Sequence, residues 1–141
     1  MKKILILQGV SDSGKTTILN NLINWLLNYP NQTNNIQTDG TGPDRFGVVE
    51  INGFRIGIIT QGDEYHYVQK RLLEIHNQDC DVIVCCCRTR LSSLTAVTEF
   101  LNTYNNSQLV YLSQWIRVVA PWSTQQSNRV LTELQTWLRG I

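Results

Sequence analysis

Gly9-Val10-Ser11-Asp12-Ser13-Gly14-Lys15-Thr16 is the stretch of this chain whose residue types and spacing specify a chemistry on their own. The two glycines let the backbone curl so that successive N–H groups point inward. A helix starting just beyond adds partial positive charge, and the result is a nest for a phosphate anion. Lys15 is then expected to stand exposed to ligand, bridging β- and γ-phosphates and supplying only phosphate charge. Thr16 would place its hydroxyl on Mg²⁺, a hard ion that takes few protein oxygens and keeps several waters. Thr17 would face the α-phosphate side.

Such a nest requires a strand that stops at the first glycine and a helix that begins near Thr16. Residues 4–7 form a short continuous apolar run, as in a strand buried on both faces of a parallel sheet. From Thr16 onward Ile18, Leu19, Leu22, Ile23 and Leu26 mark one helical stripe, closing near Asn28 before Pro30. Residues 29–47, rich in Asn, Gln, Thr, Asp and Gly and holding all but one of the prolines, read as a long mobile loop. Segments 46–51 and 54–60 flank Asn52-Gly53, whose type I′ turn makes them an antiparallel hairpin. Tyr65, Val68, Leu72 and Ile75 recur at helical spacing; residues 82–87 are another buried strand; Leu94, Val97, Leu101 and Tyr104 mark a third helix. A further strand is expected at 109–112 and a C-terminal helix on Val130, Leu131, Leu134, Trp137 and Leu138. Residues 113–122 admit three readings: a continuation, a sixth strand or a packed loop. The expected architecture is a single three-layer α/β domain over residues 1–141, its sheet mostly parallel with one antiparallel hairpin strand.

Residues 4–26 resemble the first strand, Walker A loop and first helix of the P-loop nucleoside triphosphatases, with Gly9 through Lys15, Thr16 and Thr17 as the nucleotide-binding loop. The Gly-Lys-Thr-Thr form is familiar among small kinases and nucleotide-dependent switch proteins. The order strand, loop, helix, long loop, hairpin, helix is similar to that of small GTPases. The resemblance implies the P-loop fold, a bound nucleoside triphosphate and Mg²⁺. It weakens at the end of the hairpin, where GTPases carry Asp-x-x-Gly and this chain has Ile59-Thr60-Gln61-Gly62. Asp63 and Glu64 are the nearest substitute acids, serving either the metal and its water or the dipole of the helix they precede. Gln61 compares, with a displacement of one residue, to the switch glutamine that orients an attacking water. No Asn-Lys-x-Asp follows the strand at 109–112, where Ser113-Gln114-Trp115 stands instead, so ATP is expected over GTP. Trp115 or Trp122 would either stack on the base or pack in the core. Arg88 and Arg90 end the strand at 82–87, at the sheet's ligand-binding edge, as stabilisers of a transferring phosphate or as ordinary surface charges. Asp39, Thr41 and Asp44 sit where switch proteins sense a γ-phosphate and kinases bind an acceptor; solvated loop polarity is the plainer reading.

The remaining composition narrows the field. A chain of 141 residues with 42% hydrophobic and 16% charged residues has the balance of one soluble domain. A net charge of +1 gives no whole-molecule attraction to nucleic acid or anionic lipid. The N-terminal apolar run stops after residue 7, short of an export signal, and no stretch is long enough to span a membrane. Cys80, Cys85, Cys86 and Cys87 lack the spacing of a disulfide framework; neighbours on a strand face opposite ways, so they read as buried thiols in a reducing, cytoplasmic setting. Three functions fit: an ATP-hydrolysing switch acting through a protein partner or oligomer, which is favoured; a small-molecule or nucleotide kinase; and a non-catalytic nucleotide-binding subunit.

Overall fold

The computed structural model describes residues 2–10 and 13–139. Strand β1, Lys2–Gln8, is an interior strand of the sheet, one place from its edge. Its alternation is literal: Ile4 and Ile6 enter one hydrophobic cluster, Leu5 and Leu7 the other. Helix α1, Lys15–Leu27, follows, and then two short strands, β2 (Thr33–Asn34) and β3 (Gln37–Thr38). The hairpin β4 (Arg45–Ile51) and β5 (Phe54–Ile59) turns at Asn52 and Gly53, whose φ values of 52° and 81° are those a type I′ turn demands. Helix α2 (Tyr65–His76), strand β6 (Val82–Cys87), helix α3 (Ser93–Tyr104), strand β7 (Tyr111–Arg117) and helix α4 (Thr124–Leu138) complete the order.

The chain is α/β with a mixed seven-stranded sheet, in the order β2-β4-β5-β6-β1-β7 with β3 also on β4. Helices α1 and α4 cover one face and α2 and α3 the other, each sealing one cluster. Strands β5, β6, β1 and β7 run parallel, β4 runs against β5, and the short β2 and β3 each pair antiparallel with β4. One strand, β4, therefore opposes the others, and the sheet gains two strands that were not expected. The extra two were invisible to periodicity because Thr33, Asn34, Gln37 and Thr38 expose their side chains and join β4 by backbone hydrogen bonds. Asn35 bridges them, its Oδ1 accepting from the Val48 N–H at 2.6 Å.

The last strand also differs from expectation, spanning 111–117 rather than 109–112. At its start Asn105 Oδ1 accepts from the N–H groups of both Val110 and Tyr111. Polar Ser113 and Gln114 are tolerated because β7 is the sheet's edge. All four cysteines are free and buried, Cys85 and Cys87 toward one cluster and Cys86 toward the other. Among the described residues no helix is long and apolar enough to cross a membrane.

Candidate functional site

Parallel strands bring their carboxyl ends to one edge, and β1 is where the connections diverge: its own crosses to α1 on one face while that of neighbouring β6 crosses to α3 on the other. A crevice opens at such a point by topology alone. Into it runs the loop from Gly9 to Gly14, of which Ser11 and Asp12 lie outside the described residues. The Gly9 N–H donates to the Cys87 carbonyl at 3.1 Å, tying the loop to the end of β6. Gly14 closes it with φ +94°, a left-handed conformation that an L side chain resists, and a Cβ there would stand 2.1 Å from Trp122 Cδ1. As the residue preceding α1, Gly14 brings no capping side chain, and the first turn holds no acid. The partial positive charge of the α1 N-terminus is thus left for an outside anion.

Lys15 differs from the ligand-exposed cation that was expected. It is 6% exposed, and its Nζ donates to the carbonyls of Gly9 and Val10, both at 2.8 Å. The ammonium is held by the loop because the Gly9 and Val10 carbonyls converge on it, and an unpaired buried carbonyl is costly. Its charge also lies 3.9 Å from Asp63. Gly14, Lys15, Thr16, Thr17, Gly62 and Asp63 together line a pocket of about 200 Å³. Ser13 is buried, and its Oγ has no hydrogen-bond partner among the described residues.

Two carboxylates approach this pocket. Asp63 sits between cations, 3.9 Å from Lys15 and 3.4 Å from the Nε of Arg88. Asp44 arrives from the long 29–47 segment and accepts from the Thr60 hydroxyl at 3.2 Å, while Thr16 Oγ1 donates to the Thr60 carbonyl at 3.2 Å. Burial lifts the Asp44 pKa above the ordinary carboxylate value; the Thr60 hydroxyl opposes the rise, Asp63 and Asp39 add to it, and Thr16 opposes it. Asp44 has no ion-pair partner among the described residues and lies near the Thr16 hydroxyl, a setting that a divalent cation would relieve. Among the described residues no three His, Cys, Asp or Glu converge on one point. The described residues therefore offer a hydroxyl and two carboxylates, a sparse set that fits an ion completed by water and phosphate. Thr60, fully buried, is the participant that sequence reasoning missed; a polar residue ending an apolar strand was its one signal.

Other expected site residues fall elsewhere. Gln61 Oε1 accepts from the Asp63 N–H at 2.9 Å, so its carbonyl is spent within its own loop. Glu64 precedes α2 without a side-chain capping bond. Asp39 is held by Tyr67 and by Arg71, whose guanidinium also lies 3.7 Å from the centre of the Phe46 ring. That carboxylate fastens the segment to α2, and Thr41 is exposed. Arg88 and Arg90 follow the end of β6 at Cys87, as expected, and both line a cleft of about 310 Å³ with Val10, Thr89, Leu91 and Ser92. Leu91 and Ser92 have positive φ, 46° and 50°, which turns the chain sharply there. Trp122 is half-exposed beside Gly14, whereas Trp115 lies on the edge strand opposite Ile6.

Beneath the pocket, the Cys86 thiol donates to the Thr60 carbonyl at 3.2 Å, and burial pushes its pKa up against the pull of Lys15. It is structural packing under the loop, inert as a nucleophile. No family model matches this chain, nor does any curated protein or solved structure.

Proposed function

We propose that this chain is a P-loop nucleoside triphosphatase that binds ATP with Mg²⁺ through residues 9–17 and hydrolyses it slowly, as a switch whose turnover a partner completes. The observation that carries this reading is the N-terminus of α1, uncapped and free of acid, opening on a pocket that also holds Lys15 and Thr16. Lys15 would exchange its loop carbonyls for β- and γ-phosphate oxygens. Thr16 with Asp63 or Asp44 would hold Mg²⁺, which when bound neutralises charge on the phosphates. Gln61, whose carbonyl is engaged by the Asp63 N–H, is not free to orient an attacking water, which accords with slow basal turnover. Trp122, which packs beside Gly14, is the aromatic that would meet the base. The buried thiols suit a reducing, cytoplasmic setting.

One observation favours a kinase as the second reading. The cleft lined by Arg88 and Arg90 adjoins Val10 and suits an anionic acceptor. Titration of Trp122 fluorescence with Mg·ATP and Mg·GTP, followed by a phosphate-release assay, tests the proposal. ATP is expected to bind at least as tightly as GTP, with slow release of phosphate. Absence of any nucleotide binding would overturn the assignment, and a phosphorylated acceptor in a panel of nucleosides and nucleotides would favour the kinase.

A further inference from the structure

Strand β7 closes the sheet on one side, and among the described residues no strand lies beyond it. Its ladder to β1 begins with the Lys2 N–H on the Val110 carbonyl and ends with the Val118 N–H on the Gln8 carbonyl. Parallel pairing therefore commits the even-numbered residues of β7 to β1 and turns the N–H and C=O of residues 111, 113, 115 and 117 outward. The protein satisfies such outward groups at both ends of the run. Asn105 takes the N–H of Tyr111 with its Oδ1 and donates Nδ2 to the Tyr111 carbonyl at 3.0 Å. Beyond the strand, Gln126 treats Val119 the same way, accepting its N–H and donating to its carbonyl, both at 2.7 Å. Two side-chain amides thus imitate a neighbouring strand at 111 and 119, leaving Ser113, Trp115 and Arg117 between them.

That open set is symmetric about Trp115. Its protections are few: residues 111–117 contain no proline and a single charge, Arg117 at the end of the strand, and Leu112 and Trp115 are 47% and 38% exposed. We propose that two copies of this chain pair antiparallel along β7 about a two-fold axis at Trp115, joining their sheets edge to edge. In that register Trp115 faces its own twin and Ser113 faces the twin's Arg117, forming about six backbone hydrogen bonds, two per pair. The two Arg117 side chains go to opposite ends, so no like charges meet. A slip by two residues would set a strand against groups already taken by Asn105 or Gln126. The twin tryptophans form the kind of cross-strand aromatic pair that stabilises antiparallel ladders. An unrelated extended segment could make the same hydrogen bonds, whereas a second copy satisfies the open groups of both chains at once within the run that Asn105 and Gln126 bound.

Sedimentation velocity over about a hundred-fold range of concentration tests this on the full chain, without nucleotide, so its outcome is separate from the phosphate-site reading. The parent should shift from monomer toward dimer as concentration rises. Trp115→Lys and Trp115→Glu should each remain monomeric across the range, because like charges then face each other at the axis, while circular dichroism verifies that each is folded. Mixed in equal amounts, the two variants should recover the dimer, since Lys and Glu then oppose. A parent that is monomeric throughout, variants that dimerise as the parent does, or a folded mixture that fails to recover would each overturn the proposal.

Discussion

Replacing Lys15 by methionine removes the ammonium and keeps the aliphatic stem in place. In the free protein the change strands two carbonyls, Gly9 and Val10, that the ammonium satisfies at 2.8 Å. Buried acceptors left unpaired cost about 1–3 kcal/mol each, less here because the Val10 side of the contact is only part-buried. A melting temperature lower by about 3–8 °C is expected. In the nucleotide complex the ammonium would stand about 4 Å from phosphate charge, worth about 4 kcal/mol per unit charge at the effective dielectric of a protein surface. Setting the lost loop bonds against this gain leaves roughly 3 kcal/mol, or about a hundred-fold in Kd. Isothermal titration calorimetry with Mg·ATP and, as a control, adenosine reads both ends of the ligand. The variant should lose Mg·ATP affinity and keep whatever affinity the parent has for adenosine. Parent-like Mg·ATP binding by a folded Lys15→Met protein would refute the phosphate role of the loop, and an unchanged melting temperature would refute the structural role of its buried lysine.

Asp44→Asn should stabilise the protein at neutral pH. Because burial raises the folded pKa of Asp44 above its unfolded value of 3.8, the folded state holds the proton more tightly and stability falls as pH rises through that window. The gain over the parent should therefore appear above the folded pKa and fade toward pH 3.8, and melting curves from pH 3.5 to 7 check it. If Asp44 helps hold Mg²⁺, added MgATP should raise the melting temperature of the parent more than that of Asp44→Asn. For Arg88→Ala/Arg90→Ala, slow basal ATP hydrolysis should persist with little change if a partner completes the site. A loss of about 10-fold or more in the phosphate-release assay would instead mark a self-contained phosphoryl-transfer centre. Asp63→Asn should lower turnover more than Mg·ATP affinity, and unchanged hydrolysis would leave that carboxylate as the counter-ion of Lys15 and Arg88 alone.

What the sequence determined by itself is what neighbours along the chain decide among themselves. Ile4 through Leu7 alternate between two clusters because strand side chains have period two, and residues 82–87 repeat the pattern within the same bounds. Asn52 and Gly53 take the left-handed φ values that make a hairpin, and Gly14 the one that ends the glycine loop. The stripe of apolar residues from Ile18 to Leu26 fixes which face of α1 is buried, so the loop, the lysine and the helix start follow one another in sequence as they do in space. Tertiary structure alone decided what lies opposite them. Only the insertion of β6 between β1 and β5 sets the Arg88 and Arg90 cleft against Val10, and only folding back of the 29–47 segment brings Asp44 to Thr60. Strands β2 and β3, and the amides of Asn105 and Gln126 that bound the open edge of β7, were equally silent. Each of these contacts is made by polar groups, which have no hydrophobic period to announce them and become partners only when the packing of the two cores has delivered them within hydrogen-bonding distance.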